Sequence, residues 1–355
     1  MKEIMLSVLA FCLTIFFIKA FFKPAIALGL IDIPCGRKTH SGKVPLIGGL
    51  AVFIAIYLAA ILHGQLFVEF HLLFASLFIL VSIGVLDDIY TLSPRSRFLA
   101  QIVAALLMIF PGQIRLSNLG NLLGFGDIIL HGFSVPFTVF CVVGVVNAIN
   151  MIDGIDGLAG GVVLIVLALF GSAALMTGLN SYAILIYLLA SAVLAFTAFN
   201  MRSPWRPKAM VFLGDAGSTM LGFSIAWIAV FLTSQGEASL PPIAGVWIVG
   251  VPVMDTLSII LRRMLKGRSP FSADREHVHH ILQHVGFSHT QTLLLILATE
   301  LAMGLTGLGG WYLGIPEYVM FYAFILVFIA YSWLIQHAWT TVRLVRIVHG
   351  HWHGQ

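Results

Sequence analysis

Five aspartates, Asp87, Asp88, Asp153, Asp156 and Asp215, stand at the ends of apolar runs in a chain with only 15 Asp and Glu among 355 residues. An ionisable group at the edge of such a run is costly to keep, so its usual reason for being there is chemistry. Carboxylate oxygens are hard donors, and several at one level suit a divalent cation that handles phosphate. In Asn147-Ala-Ile-Asn150-Met-Ile-Asp153-Gly-Ile-Asp156-Gly a polar residue recurs at every third position. Residues three apart share a helical face, which predicts one polar stripe of Asn147, Asn150, Asp153 and Asp156. Capping a helix end would use one or two of these groups, not four. Asp215 lies in Leu213-Gly-Asp-Ala-Gly-Ser-Thr219, a glycine-flanked start to an apolar run where a helix N-terminus favours anions. It is not a Walker A loop, because GxxxxGK[ST] is absent. The neighbouring Asp87 and Asp88 repel unless a cation is near, and Arg95 and Arg97 follow closely enough to supply one. A plain ion pair with those arginines is the alternative reading.

The segment 262–290 holds Arg275-Glu276-His277-Val278-His279-His280, then His284 and His289. Cysteine partners and an H-E-x-x-H pattern are missing, which argues against zinc. Arginine with histidine suits a phosphate or a sugar pyrophosphate better. Cys12, Cys35 and Cys141 are too scattered for a disulfide framework. The tail histidines His349, His351 and His353 read as a solvated end.

The elements that must position these residues are membrane spans. Hydrophobic residues make up 59% of the chain and charged residues 10%, against roughly 45–50% and about 25% in soluble domains. A mean hydropathy of +1.01 excludes a soluble α/β enzyme. The fold class expected is all-α, a polytopic integral membrane protein with about eleven transmembrane helices in one domain over residues 1–355. The apolar runs lie near 4–22, 45–62, 68–86, 98–111, 133–150, 158–177, 182–199, 211–233, 241–261, 291–313 and 317–336. The first lacks a small-residue cleavage site and reads as a retained span. Of the 19 Lys and Arg, 16 fall in the loops after odd-numbered spans and in the C-terminal tail, and two on the other face. That asymmetry puts the basic segments in the cytoplasm, the N-terminus in the periplasm and the C-terminus in the cytoplasm. The basic excess is thereby explained, together with attraction to anionic membrane lipids, and nucleic acid is not needed. All five aspartates fall on the cytoplasmic face, where the loops 23–44, 87–97, 147–157, 200–215 and 262–290 are expected to form the active site.

In order, the chain carries Gly36-Arg-Lys-Thr-His40 with Pro45-Leu-Ile-Gly-Gly49, Leu86-Asp-Asp88, the run from Asn147 to Gly161, Phe212-Leu-Gly-Asp-Ala-Gly-Ser218, Pro252-Val-Met-Asp-Thr256 and His277-Val-His-His280. The set closely resembles the polyprenyl-phosphate N-acetylhexosamine-1-phosphate transferases over nearly the whole chain. The resemblance implies that undecaprenyl phosphate attacks the β-phosphorus of UDP-N-acetylglucosamine, giving undecaprenyl-diphosphate-N-acetylglucosamine and UMP. That would be the first membrane step of O-antigen or enterobacterial common antigen synthesis, at a bacterial inner membrane, with Mg2+ or Mn2+ as cofactor. It implies Asp215 and Asn150 as metal ligands. Asp87 and Asp88 match an acidic pair near the lipid phosphate, and Asp153 and Asp156 join them as catalytic candidates. Phe212 matches an aromatic that stacks on uracil, and Asp156 a group that hydrogen-bonds it. Arg275, His277, His279 and His280 match a loop that holds pyrophosphate and sugar. Lys43, Asn147 and Arg97 complete the substrate-binding candidates, Arg97 standing where relatives carry Lys. A homodimer stays open. The rival readings are another UDP-amino sugar, the peptidoglycan precursor, or a cation-coupled secondary transporter. The run Asp-Asp-Ile-Tyr after span three argues against the peptidoglycan precursor. A transporter would place its carboxylates near the bilayer midplane rather than at the cytoplasmic ends.

Overall fold

The computed structural model describes residues 2–32, 43–203, 205–234, 239–265, 267 and 277–352. In chain order the helices are α1 (Lys2–Leu28), α2 (Gly48–His63), α3 (Gln65–Glu69), α4 (His71–Tyr90), α5 (Pro94–Ile109), α6 (Ser134–Ile152) and α7 (Leu158–Met176). They continue as α8 (Asn180–Asn200), α9 (Gly214–Thr233), α10 (Pro242–Ile248), α11 (Gly250–Leu265), α12 (Val278–Val285), α13 (His289–Tyr312) and α14 (Glu317–Trp352). Lipid offers no partner to a backbone amide, so an apolar chain crosses it as helix, with every N–H bonded inside its own segment. The protein is accordingly an all-α, multi-pass membrane protein. A two-residue hairpin of β1 (Ile31–Asp32) and β2 (Val44–Pro45) pairs antiparallel, Ile31 with Pro45 and Asp32 with Val44.

Among the described residues, eight helices are long and apolar enough to cross a membrane, and α10 with α11 makes a ninth if the bent pair is one span. The other two expected spans are α2 and α5, each of 16 residues. At 1.5 Å per residue such a helix covers about 24 Å, short of the roughly 30 Å of a hydrocarbon core. The α10–α11 pair bends by 88°. Pro252 explains where: in a continuous helix its ring would strike the carbonyl of Ile248, four residues back, so the helix stops there and restarts at Gly250.

α9 is the hub. Nearly every residue from Ala216 to Leu232 is buried. Small residues let its neighbours come close, which is how helices pack where burial itself drives little. A Cβ on Gly49 of α2 would overlap the Gly217 backbone, and one on Gly84 of α4 would overlap Ala216. A Cβ on Gly222 would lie 2.7 Å from Val146 Cα of α6. These contacts pack α2 and α4 on the first turn of α9 and α6 two turns further along it.

Candidate active site

Gly214 opens α9 with φ 73, and a Cβ there would lie 2.6 Å from the Asp88 carboxylate, so only glycine suits the position. The Asp88 carboxylate accepts from the backbone N–H of Asp215 at 3.0 Å and of Ala216 at 3.5 Å. Asp88 thus caps α9 from the end of α4, satisfying donors that every helix start leaves open. Its neighbour Asp87 is buried, accepts from Leu92 N–H at 2.6 Å and pairs with Arg97 Nη1 at 3.1 Å. The same Arg97 nitrogen lies 3.4 Å from Asp215 Oδ2. Asn150 Nδ2 donates to Asp215 Oδ1 at 2.8 Å and to Ser218 Oγ at 2.7 Å. Asp215 therefore sits at a helix N-terminus between one cation and one amide, its side chain one-third exposed.

The expected polar stripe divides. α6 ends at Ile152, Asp153 follows as its cap residue, and Gly157 turns the chain at φ 84. Asn147 donates to Gln101 Oε1 at 2.8 Å and to the Val143 carbonyl at 2.7 Å, and Gln101 lines a small pocket with Arg97 and Asp215. The Asp153 carboxyl has no hydrogen-bond partner among the described residues, and burial first, then the negative charges of Asp215 and Asp156, push it up to about 7. Asp156 Oδ2 accepts from Arg202 Nε at 2.7 Å and from Ala209 N–H at 3.4 Å. Asn200 ties this turn to the next segment, accepting from Gly157 N–H at 2.7 Å and donating to the Val211 carbonyl at 3.0 Å. Phe212 is held by its backbone, its N–H on the Pro45 carbonyl and its carbonyl on Gly48 N–H, both at 2.9 Å. A cavity of about 330 Å³ lies here, lined by Lys43, Asp156, Arg202, Lys208, Met210 and Phe212 among others.

The histidine segment reaches the same place. His277 Nδ1 bonds Asp255 Oδ2 at 2.8 Å, while Asp255 Oδ1 accepts from Val278 N–H at 3.1 Å and from the Tyr331 hydroxyl at 2.9 Å. His279 is 1% exposed, and neither ring nitrogen has a hydrogen-bond partner among the described residues. A Cβ on Gly154 would overlap its Nε2, so the imidazole lies against the turn that follows Asp153. Burial, then the neighbouring His280 and His277, lower His279 to about 3, which keeps it neutral. The His280 ring lies 4.2 Å from that of His279. Arg275 and Gly36–His40 lie outside the described residues.

Most candidates from the sequence stand around the first turn of α9 and the 153–157 turn. His277 is held by Asp255, and Asn147 by Gln101. Sequence reading singled out no role for Gln101, Asn200, Arg202 or Asp255. Gln101 and Asn200 carried a faint signal, as lone amides at the ends of apolar runs. The oxygen donors Asp215, Asn150 and Asp153 fit a hard cation. Mg2+ keeps several waters and takes one or two carboxylates plus substrate phosphate, so no preassembled cage is required. Among the described residues no group of three His, Cys, Asp or Glu forms one.

The family model described as glycosyl transferase family 4 matches residues 70–233. The chain is 40% identical over 321 residues to an undecaprenyl-phosphate alpha-N-acetylglucosaminyl 1-phosphate transferase of Haemophilus influenzae, covering 90% of each chain. It is 35% identical over 332 residues to the protein of that name from Escherichia coli K12, covering 92% of this chain and 89% of the other. With the Yersinia pestis protein it shares 33% over 325 residues, covering 91% and 89%.

Proposed function

The chain belongs to the polyprenyl-phosphate N-acetylhexosamine-1-phosphate transferases of glycosyl transferase family 4, and we infer how its own residues carry that reaction. Its substrates are a nucleotide sugar and a polyprenyl phosphate. It transfers N-acetylglucosamine 1-phosphate from UDP-N-acetylglucosamine to undecaprenyl phosphate. A lipid phosphate oxygen attacks the β-phosphorus, the bond from that phosphorus to the bridging oxygen breaks, and UMP leaves with it.

The observation that carries the assignment of residues is the meeting of four distant motifs at the N-terminus of α9. Asp88 from α4, Arg97 from α5 and Asn150 from α6 all touch its first turn, and Asp87 pairs with that same Arg97. In our reading, Asp215 and Asn150 would hold a Mg2+ or Mn2+ ion, which when bound supplies positive charge against the pyrophosphate. Arg97, paired with Asp87, holds the attacking lipid phosphate. The cavity beside Phe212, Asp156 and Lys43 takes the uridine, with Phe212 stacking on the base. His279, buried and without a hydrogen-bond partner among the described residues, gives one N–H to a sugar or phosphate oxygen, because a buried donor without an acceptor is costly. The basic loops set this face toward the cytoplasm at the inner membrane, with the N-terminus in the periplasm. The product serves O-antigen or common-antigen assembly.

The test is purified protein with UDP-N-acetylglucosamine and undecaprenyl phosphate. Release of UMP with a lipid-linked sugar is the expected result. Turnover with UDP-N-acetylgalactosamine or the peptidoglycan precursor but not UDP-N-acetylglucosamine would overturn the sugar assignment. Vesicle uptake without UMP would overturn the enzyme.

A further inference from the structure

Glu300 lies in the apolar interior of α13 and is fully buried. Its Oε2 accepts from Val251 N–H at 2.8 Å, at the first turn of α11. Its Oε1 has no partner among the described residues. The 88° break before α11 explains the first bond. A restarted helix leaves its first N–H groups without carbonyls one turn back, and in lipid an unpaired donor is expensive.

α13 is shaped to receive both limbs of the bend. Met303, Gly304 and Gly307 follow Glu300 at three, four and seven residues, on one helix face. A Cβ on Gly307 would lie 2.5 Å from Trp247 Cβ on the α10 side. A Cβ on Gly250 would lie 2.5 Å from Met303 Cε on the α11 side. From that bend α11 runs directly to Asp255, five residues past Gly250. Asp255 grips His277 and the Val278 N–H, and so sets where His279 lies against Gly154.

We propose that Glu300 is a positioning residue for the sugar-nucleotide side of the site: by accepting Val251 N–H it fixes the α10–α11 bend, and through α11 and Asp255 it sets the place of the histidine turn. The inference rests on the reading of His279 given above, and it asks for a hydrogen-bond acceptor at residue 300, not for a charge.

The test uses the full-length protein with Glu300→Ala, Glu300→Gln, Asp255→Asn and the double variant Glu300→Ala/Asp255→Asn. Glu300→Ala should raise the KM for UDP-N-acetylglucosamine about tenfold, the equivalent of one lost hydrogen bond of about 1.4 kcal/mol. The KM for undecaprenyl phosphate should stay within about twofold. Glu300→Gln, which keeps an acceptor, should restore the wild-type value. The double variant should cost less than the product of the singles, because both act on one turn. Amide exchange at residues 277–285 should quicken in Glu300→Ala and not in Glu300→Gln, a readout that stands even if the sugar nucleotide is a different one. A lower melting temperature with unchanged exchange and unchanged KM would make Glu300 structural only and overturn the proposal. So would an equal rise in both KM values, or a Gln variant as damaged as Ala. If Glu300→Ala does not fold, Glu300→Met gives the same readouts with the volume retained.

Discussion

Adjacent carboxylates can do different work, and Asp87 and Asp88 separate cleanly. Asp88 spends both oxygens on the start of α9, whereas Asp87 holds Arg97 beside Asp215. Asp88→Ala should therefore lose a helix cap, at about 1 kcal/mol of stability, read as a lower melting temperature. Asp87→Asn should keep the melting temperature and UDP-N-acetylglucosamine affinity while slowing single turnover. A stable but slow Asp88→Ala would reverse the assignment. Asp215→Asn keeps shape and loses charge, so turnover should fall by about 100-fold or more with the fold intact; near-normal activity at low magnesium would remove the metal role. His279 gives a pH signature. Its folded pKa lies near 3, below the unfolded value of about 6.5. The folded state therefore resists protonation, and stability present above pH 6.5 is lost as the pH falls toward 3. Melting temperature should fall more steeply from pH 6.5 to 4 in the wild type than in His279→Gln. Parallel slopes would mean that the imidazole is not buried in solution.

At the scale of the helix, site geometry depends on how closely α4 lies on α9. Gly84 faces Ala216 with no room for a methyl group. Gly84→Ala should push α4 outward, draw Asp88 off the α9 amides, and cost about 1–3 kcal/mol together with activity. Gly144 has nothing within 4 Å of an added Cβ, so Gly144→Ala should be neutral or slightly stabilising. Thermal unfolding of both in detergent checks the pair. Equal effects would mean that glycine was selected for something other than close approach.

For the whole molecule the governing pattern is charge against the bilayer. If basic loops face the cytoplasm, Phe125, 94% exposed in the loop between α5 and α6, faces the periplasm, and Lys208 lies on the other side. With the native cysteines replaced, a membrane-impermeant thiol reagent on intact cells should modify Phe125→Cys and spare Lys208→Cys. The reverse labelling would invert the topology and move the site away from a cytosolic sugar nucleotide.

The sequence alone was enough for the fold class, because long apolar runs in lipid have only the helix to adopt. It also brought Asp87, Asp88, Asp153, Asp156 and Asp215 forward as candidates, because charge in such a chain is rare enough to stand out, yet it passed over Gln101, Asn200, Arg202 and Asp255. The residue-to-residue pairing was decided by the tertiary structure. Asn147 meets Gln101 across 46 residues, Asn150 meets Asp215 across 65, and Asp88 meets the Asp215 amide across 127. A three-residue period put Asn147, Asn150, Asp153 and Asp156 on one stripe, but α6 ends at Ile152, and Asn147 meets Gln101, Asn150 meets Asp215 and Ser218, and Asp156 meets Arg202. The rotation and depth of each helix are set by where glycines allow a neighbour to approach. The buried Glu300 shows the same limit: in the sequence it is one acid inside a long apolar run, and its partner is the amide that a proline in another helix has left open.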